Sequence, residues 1–269
     1  MSELLRCAAC GGAVVWDAGR DGAACLFCGT VALELQVPED PLPTPQALLP
    51  ARIDVAEAER RFRTWIGNSW FRPAALRSAA IELQFLAIPA WVFESELESH
   101  WAGLRRAATR SGKEPVSGME HARMRHMVPA SGGLELRELT ALQPFDEGPG
   151  QPWDPASVDG PWEPPVTSER RARIQAHADL AERHRVDISH TRGLTRCLVS
   201  PLITDLDTRL LMLPVYIGTF RHRDRPWRFV VNGHSGVVVG DAPLDRRKVA
   251  AVVVAVLLLV VLLALYARQ

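Results

Sequence analysis

The spacing of apolar residues predicts a helix shortly after residue 50. In "DVAEAERRFRTWIGNSW" the apolar side chains recur every three or four residues and share one helical face: Val55, Ala58, Phe62, Trp65 and Ile66. Asp54 comes directly before this pattern and Glu57 follows three residues later, which is the arrangement of a capping box. We therefore predict an amphipathic helix that begins after Asp54.

The period changes from helical to strand-like after residue 90. In "AWVFESELESHW" one set of alternate positions is apolar and the other is polar: Trp91, Phe93, Leu97 and Trp101 against Glu94, Glu96, Glu98 and His100. Such alternation is typical of a half-buried strand. The three glutamates are expected to form a solvated face, although they could also hold a cation.

The remaining middle region predicts more helices and an antiparallel sheet. Helices are expected from Pro73, over "LELRELTAL" and after Ser168, and strands in "TRCLVSPLITDLD", "RLLMLPVYIGTFRHR", "PWRFVVNG" and "GVVVG". The dipeptide Asn232-Gly233 with Gly236 indicates a hairpin. Residues 105–127 predict a hairpin or long loop, and "QPFDEGPGQPWDPASVDGPWEPP" an irregular surface loop. "IPAWVF" and "LPVYIGTF" share a pattern that could reflect an internal duplication.

A long apolar run near the C-terminus predicts a transmembrane helix. Val249–Tyr266 are eighteen residues without a charge, which as a helix reach roughly 27 Å, close to the thickness of a hydrocarbon core. Three basic residues (Arg246, Arg247 and Lys248) precede the run and one follows it. This asymmetry places the N-terminal side in the cytoplasm. We expect a single-pass, tail-anchored membrane protein whose three basic residues contact lipid headgroups.

Composition narrows the class of protein. The chain has 269 residues with 31 basic and 31 acidic side chains, so its formal net charge is zero. That balance argues against a protein whose whole surface binds nucleic acid. The N-terminus has no apolar segment of the kind found in secretory signal peptides. Five cysteines, four of them in a metal-type spacing, favour a reducing compartment.

Two cysteine pairs near the N-terminus predict a metal site. Cys7 and Cys10 in "CAACGG" and Cys25 and Cys28 in "CLFCGT" each have the CxxC spacing that places two thiolates on one tight turn. A glycine follows each pair and allows a left-handed backbone there. Four thiolates suit one tetrahedral Zn²⁺ and leave no open coordination position, so the zinc should be structural. The alternative is four ordinary buried cysteines. The role of the fifth, Cys197, stays open.

These features divide the chain into four parts. Residues 1–37 are expected to form a small all-β zinc ribbon, and the proline-rich residues 38–51 a semi-rigid linker. Residues 52–245 form a cytoplasmic body of helices and antiparallel sheet, and residues 246–269 the basic flank and membrane helix. The fold class is α+β, with the ribbon as a separate unit.

The sequence offers little for catalysis. It has no GxxxxGK[ST] phosphate loop, "GHSGV" is not a nucleophile elbow, and HExxH is missing. His177 and His184 are expected on a solvated helix face. We therefore expect no enzyme, with an unrecognised hydrolase as the residual alternative. Residues 1–40 contain two basic and six acidic residues, so the ribbon should repel polyanions and contact a protein instead. Trp16 and Phe27 could belong to that contact surface or to the ribbon core.

The doubled cysteine knuckle resembles that of a bacterial family of zinc-ribbon membrane proteins with a transcription-factor-B-type ribbon. The chain also resembles this family in "FRTWIGNSWFRPAAL", "IPAWVFES", "VPASGGLELRELTALQPFD", the hairpin "FVVNGHSGVVVG" and the C-terminal span. Members are often labelled primosomal protein N-prime or helicase-like, and the family has no established activity. The resemblance implies zinc binding by Cys7, Cys10, Cys25 and Cys28. The helicase label does not fit a chain without a phosphate loop or an Asp-Glu box.

The sequence thus predicts a membrane-anchored, non-enzymatic adaptor or scaffold whose zinc ribbon binds an unidentified protein partner at the cytoplasmic membrane face. The alternative is a membrane-tethered, nucleic-acid-associated protein that uses the basic residues 105–125. The identity of the partner and the oligomeric state cannot be derived from the residues.

Overall fold

A computed structural model describes residues 2–17, 25–35, 43–108, 112–145, 148, 150–158, 160–223 and 225–267. The elements, in chain order, are β1 (Ser2–Cys7), β2 (Ala13–Asp17), β3 (Leu33–Leu35), β4 (Ala47–Leu48), α1 (Val55–Gly67), β5 (Ile81–Arg106), β6 (Lys113–Pro129), α2 (Leu136–Leu142), β7 (Gln151–Pro152), α3 (Glu169–Thr191), β8 (Leu194–His222), β9 (Arg225–Asn232), β10 (Val238–Gly240) and α4 (Arg246–Tyr266). Short 3₁₀ helices span Ala74–Ser78 and Pro155–Ser157. The predicted α+β class is confirmed.

The body is built around two very long antiparallel strands. β5 and β8 pair from Ile81 opposite Phe220 to Arg105 opposite Leu194. β6 continues the sheet beyond β5, while β9 and then β10 continue it beyond β8. The predicted antiparallel sheet is confirmed, except that β4 pairs with β8 in parallel and Ala87 forms an isolated parallel bridge with Trp162. The two similar segments lie opposite each other, with Ile88 paired to Leu213. The internal duplication itself stays a prediction.

α1 covers one end of the sheet with aromatic packing. The Asp54 side chain accepts a hydrogen bond from the Glu57 amide, which is one half of the predicted capping box, while the Glu57 carboxylate accepts from Arg60 and Arg61. Phe62 is fully buried and stacks on Phe229 with 3.9 Å between ring centroids. The predicted face is correct for Ala58, Phe62 and Ile66 but wrong for Val55 in the first helical turn, which is 51% exposed.

α3 lies across the other end of the sheet, where β5, β6 and β8 form a long arm. Its buried face consists of residues spaced by four (Ala172, Ala176, Leu180, His184 and Ile188). The prediction that His177 and His184 lie on a solvated face is wrong for His184, which is only 4% exposed. His184 instead meets Ser99, a buried residue of β5, with 2.9 Å between Nδ1 and Oγ.

The N-terminal module, residues 2–17 and 25–35, is a three-stranded antiparallel sheet in the order β2-β1-β3. The sequence predicts a separate unit on a linker, whereas the structure packs the module against the body. Phe27 is fully buried and forms one apolar cluster with Leu134, Leu139 and Val230 of the body. The Trp16 side chain and the start of the predicted linker lie outside the described residues.

The described second half of the predicted linker belongs to the sheet. Ala47 and Leu48 form β4, between β8 and β7, and Leu49 is 1% exposed. The prolines of the predicted linker are compatible with a place in the sheet, because β4 is a two-residue strand that needs few backbone hydrogen bonds. The described part of the predicted linker is therefore part of the body's sheet.

α4 begins directly at the body. Asp245 caps the helix by accepting a hydrogen bond from the Arg247 amide, and its own amide donates to the Phe71 carbonyl. Lys248 Nζ donates to the carbonyls of Trp70 and Arg72. Among the described residues, α4 is the one helix that is long enough and apolar enough to cross a membrane. None of its apolar segment is buried.

Candidate metal centre

The two cysteine pairs form matching turns. Cys7 ends β1, and its carbonyl accepts a hydrogen bond of 2.9 Å from the Gly11 amide. In the second turn the Cys25 carbonyl accepts from the Gly29 amide at 2.8 Å. Gly11 and Gly29 have φ values of +77° and +73°, the left-handed conformation for which the sequence predicts a glycine. Each turn directs two sulfurs to the same side.

The four sulfurs converge on one point. Cys7 Sγ lies 3.6 Å from Cys28 Sγ, and Cys10 Sγ lies 3.6 Å from Cys25 Sγ. All four sulfur atoms lie within 4.8 Å of one another. Four thiolates at about 2.3 Å from a tetrahedral metal lie about 3.8 Å apart, so the observed arrangement fits such an ion. The predicted ligands Cys7, Cys10, Cys25 and Cys28 are therefore close enough to bind one metal ion.

Burial disfavours the thiolate form of two of the four cysteines. Burial raises the pKa of Cys25 to about 11, and it raises the pKa of Cys10 further still, with the neighbouring Cys25 sulfur adding to the effect. At Cys7 burial also opposes ionisation, but the Thr30 hydroxyl and backbone amides outweigh it and lower the pKa to about 6. A bound cation would supply the missing charge compensation, so metal binding is coupled to proton release.

A buried carboxylate connects the metal module to the body. Glu163 is fully buried, and its Oε1 accepts hydrogen bonds from the amides of Ala13 at 3.3 Å, Gly132 at 2.9 Å and Gly133 at 3.2 Å. Its Oε2 accepts a short hydrogen bond from the Ser131 hydroxyl. Sequence reasoning missed Glu163 because it lies in the Pro/Gly-rich stretch that predicts an irregular surface loop.

Small residues allow the module to approach closely. A side chain at Gly133 would place its Cβ 2.3 Å from the Phe27 ring, and one at Gly12 would meet the other side of the same ring at 2.3 Å. A Cβ at Gly132 would lie 2.4 Å from the Gly11 carbonyl oxygen. Phe27 was predicted to belong either to a partner surface or to the module's core. It belongs to the interface between module and body.

The other candidate groups form internal contacts. Ser95 donates to Asp205 at 2.7 Å, and the same carboxylate oxygen lies 2.9 Å from His177 Nε2. This order differs from a catalytic relay, in which the histidine stands between the hydroxyl and the acid. Glu94 forms ion pairs with Arg123 and Arg125 at 2.9 and 2.7 Å, so these two arginines occupy the carboxylate that the sequence offered for a cation.

Comparisons with protein-family models, with curated proteins and with solved structures give no match to this chain.

Proposed function

We propose that this protein is a membrane-anchored zinc protein that acts as an adaptor at the cytoplasmic face of the membrane. The observation that carries the proposal is the convergence of four thiols in a module that packs on the same body from which α4 extends. Zinc is the metal that best suits four thiolates in tetrahedral geometry. Because the protein supplies all four ligands, the role of the ion is structural rather than catalytic.

The charge flanking α4 supports a cytoplasmic body. Arg246, Arg247 and Lys248 lie in the first turn of the helix, before its apolar part. Lys and Arg next to a membrane helix favour the cytoplasmic side. That side is also the reducing one, where thiols stay available to a metal.

An exposed apolar surface on the N-terminal module is the proposed partner site. Val31 is 76% exposed and Leu35 63% exposed, and the turn residues Ala8 and Ala9 are exposed as well. Ala8 and Ala32 are joined by a backbone hydrogen bond of 2.9 Å, so the turn and the strand that follows residue 31 are neighbours. Apolar side chains exposed together on a small module are typical of protein contact sites.

The alternative of nucleic-acid binding has less support. Residues 105–125 contain six basic and two acidic residues, and β5, which pairs with this segment, adds Glu94, Glu96 and Glu98. Arg105 pairs with Glu114 at 3.0 Å, and Arg123 and Arg125 share Glu94. Such pairing reduces the positive potential that non-specific nucleic-acid binding requires. Arg110, within the same stretch, lies outside the described residues.

The partner site is tested by in-cell crosslinking followed by purification of the full-length protein and its partners. The variant V31D/L35D should keep its zinc, because neither residue is a ligand, and should lose the partners that the wild type captures. Ile174→Asp on α3 is the matched control, since Ile174 is 66% exposed and far along the chain from the module. Cys25→Ser should lose both zinc and partners.

Two results would contradict the adaptor proposal. If V31D/L35D and the wild type capture the same proteins in the same amounts, the module surface is not the contact site. If Cys25→Ser loses zinc and still captures the same proteins, the zinc module plays no part in binding.

A further inference from the structure

A groove lies between the β8–β9 hairpin and the first turns of α4. It has a volume of about 810 Å³. Arg223 and Arg225 contribute basic side chains from the hairpin, and Arg246 contributes one from α4. All three residues are exposed, and the described residues that line the groove include no acidic side chain. The groove therefore attracts an anion.

Apolar side chains line the same groove. Val249 and Val253 of α4 line it together with Trp227 of β9. The Arg225 guanidinium lies 4.7 Å from the centre of the Trp227 ring, so a basic and an aromatic side chain of the groove contact each other. A groove lined by both basic and apolar side chains suits an amphiphile better than a small soluble anion.

Neighbouring residues show that the groove lies where α4 would meet the membrane surface. The apolar part of α4 begins at Val249, immediately after the last basic residue, Lys248. Lys248 binds the Trp70 carbonyl, and the side chains of Trp70 and Phe71 are 58% and 38% exposed. Aromatic and basic residues at this position of a membrane helix belong at the headgroup level.

Arg223 occupies a turn position of the hairpin whose backbone conformation disfavours arginine. His222 pairs with Arg225, so the connection between β8 and β9 has two residues, of which Arg223 is the first. Arg223 has φ +51°, in the left-handed region that glycine, asparagine and aspartate tolerate far better. A strained residue of this kind often serves a binding function.

We propose that this groove binds one anionic phospholipid of the bilayer that α4 spans. Arg223, Arg225 and Arg246 contact the phosphate and the acidic headgroup through charge-assisted hydrogen bonds. Trp227, Val249 and Val253 pack against the upper part of an acyl chain. The inference rests on the membrane anchoring contained in the proposed function, and it adds a lipid specificity that anchoring alone does not require.

Native mass spectrometry of the full-length protein in a neutral detergent tests the site. Phosphatidylglycerol and phosphatidylcholine with identical acyl chains are titrated separately. We expect one phosphatidylglycerol to bind at least about tenfold more tightly than phosphatidylcholine, and R223Q/R225Q to reduce that affinity by a factor of about 10 to 30. R170Q/R171Q removes the same charge from exposed positions of α3 and should bind like the wild type.

Two further variants distinguish a built site from general surface charge. Ala250→Trp fills the groove without changing its charge, and it should abolish the preference for phosphatidylglycerol. Arg223→Asn should bind phosphatidylglycerol more weakly while the protein unfolds at the same or a higher temperature, since asparagine tolerates the left-handed backbone. The proposal is overturned if both lipids bind alike, or if R223Q/R225Q and Ala250→Trp bind as the wild type does.

Flotation with pure phosphatidylcholine vesicles separates this inference from the proposed function. The wild type and all variants should float, because α4 is intact in each. If the wild type does not float, membrane anchoring is wrong and the lipid site is wrong with it. If it floats but shows no preference for phosphatidylglycerol, the lipid site alone is overturned.

Discussion

The carboxyl group of Glu163 is fully buried in the folded protein. It accepts hydrogen bonds from amides on both sides of the interface, at Ala13 in the N-terminal module and at Gly132 and Gly133 in the body. Burial raises its pKa from 4.5 to about 7, although the hydrogen bonds from Ser131 and the three amides oppose that shift. Near neutral pH the protein therefore holds this group close to its titration point.

Glu163→Gln should change how stability depends on pH. The folded state binds this proton more tightly than the unfolded state, so the wild type loses stability as pH rises from about 4.5 to about 7, by about 3 kcal/mol in total. Glutamine keeps a carbonyl for the three amides but does not titrate. Urea unfolding of both proteins between pH 5 and pH 8 should show the wild type falling relative to the variant.

The comparison with the variant is essential because the cysteines also titrate. Both proteins carry the same four thiols, so the difference between the two stability curves isolates Glu163. Parallel curves across this range would mean that Glu163 has an ordinary pKa and that its burial is incomplete.

At the scale of elements, α3 depends on a buried polar pair. Ser99 of β5 is fully buried and meets His184 of α3, whose pKa burial lowers below its ordinary value. Nδ1 of a neutral imidazole can accept a hydrogen bond from the Ser99 hydroxyl. This bond satisfies both polar groups where the helix packs on the sheet. The pair positions α3 along the arm formed by β5, β6 and β8.

Removing only one partner of this pair should cost more than removing both. Ser99→Ala leaves a buried imidazole nitrogen without its partner and should lower the free energy of unfolding by about 1–3 kcal/mol. S99A/H184L replaces both polar groups, and it should recover part of that loss. Thermal unfolding measures each variant, with Ser117→Ala, an exposed serine of β6, as the control. A double variant less stable than Ser99→Ala would show that the two side chains do not satisfy each other.

The prediction of β5 was correct for its large residues and incomplete for its small ones. Phe93, Leu97 and Trp101 are buried as the alternation predicts. Ser95 and Ser99 lie on the same face and are also buried, which apolar periodicity does not indicate. Their polar partners come from distant elements: Asp205 of β8 meets Ser95, and His184 of α3, 85 residues further along the chain, meets Ser99. Local sequence around β5 contains no information about that helix.

At the scale of the whole molecule, the metal module and the body share a core. Cys7, Cys25 and Phe27 belong to the same apolar cluster as residues of β5, β8 and α2, among them Ile88, Leu139 and Leu213. A module of this size has little apolar core of its own, so a metal ion bound by its four cysteines would supply much of its stability. Loss of the metal should therefore affect the body as well.

Chelation of the metal should lower the unfolding temperature of the body. The apolar surface around Phe27 becomes exposed when the module unfolds, which for a body of this size corresponds to a decrease of about 5–10 °C. Cys28→Ser should act in the same way, whereas Cys197→Ala lies outside the metal centre and should keep the full metal content. Calorimetry combined with metal analysis of the full-length protein measures both effects.

An unchanged unfolding temperature of the body after chelation would contradict this prediction. If the chelated protein loses its metal and the body unfolds at the temperature of the untreated protein, module and body are independent units, as the sequence alone predicts.

The sequence by itself determined the features whose physics is local. The CxxC spacing places two sulfurs on each turn, the glycines allow those turns, and an uncharged run of eighteen residues forms a helix of membrane length. These depend on residues within a few positions of one another. Only the tertiary structure decided that Phe27 is an interface residue, that Glu163 contacts an amide 150 positions away, and that Arg223 and Val253 share a groove. Such contacts follow from how distant segments pack, and packing is not encoded in any single stretch of the chain.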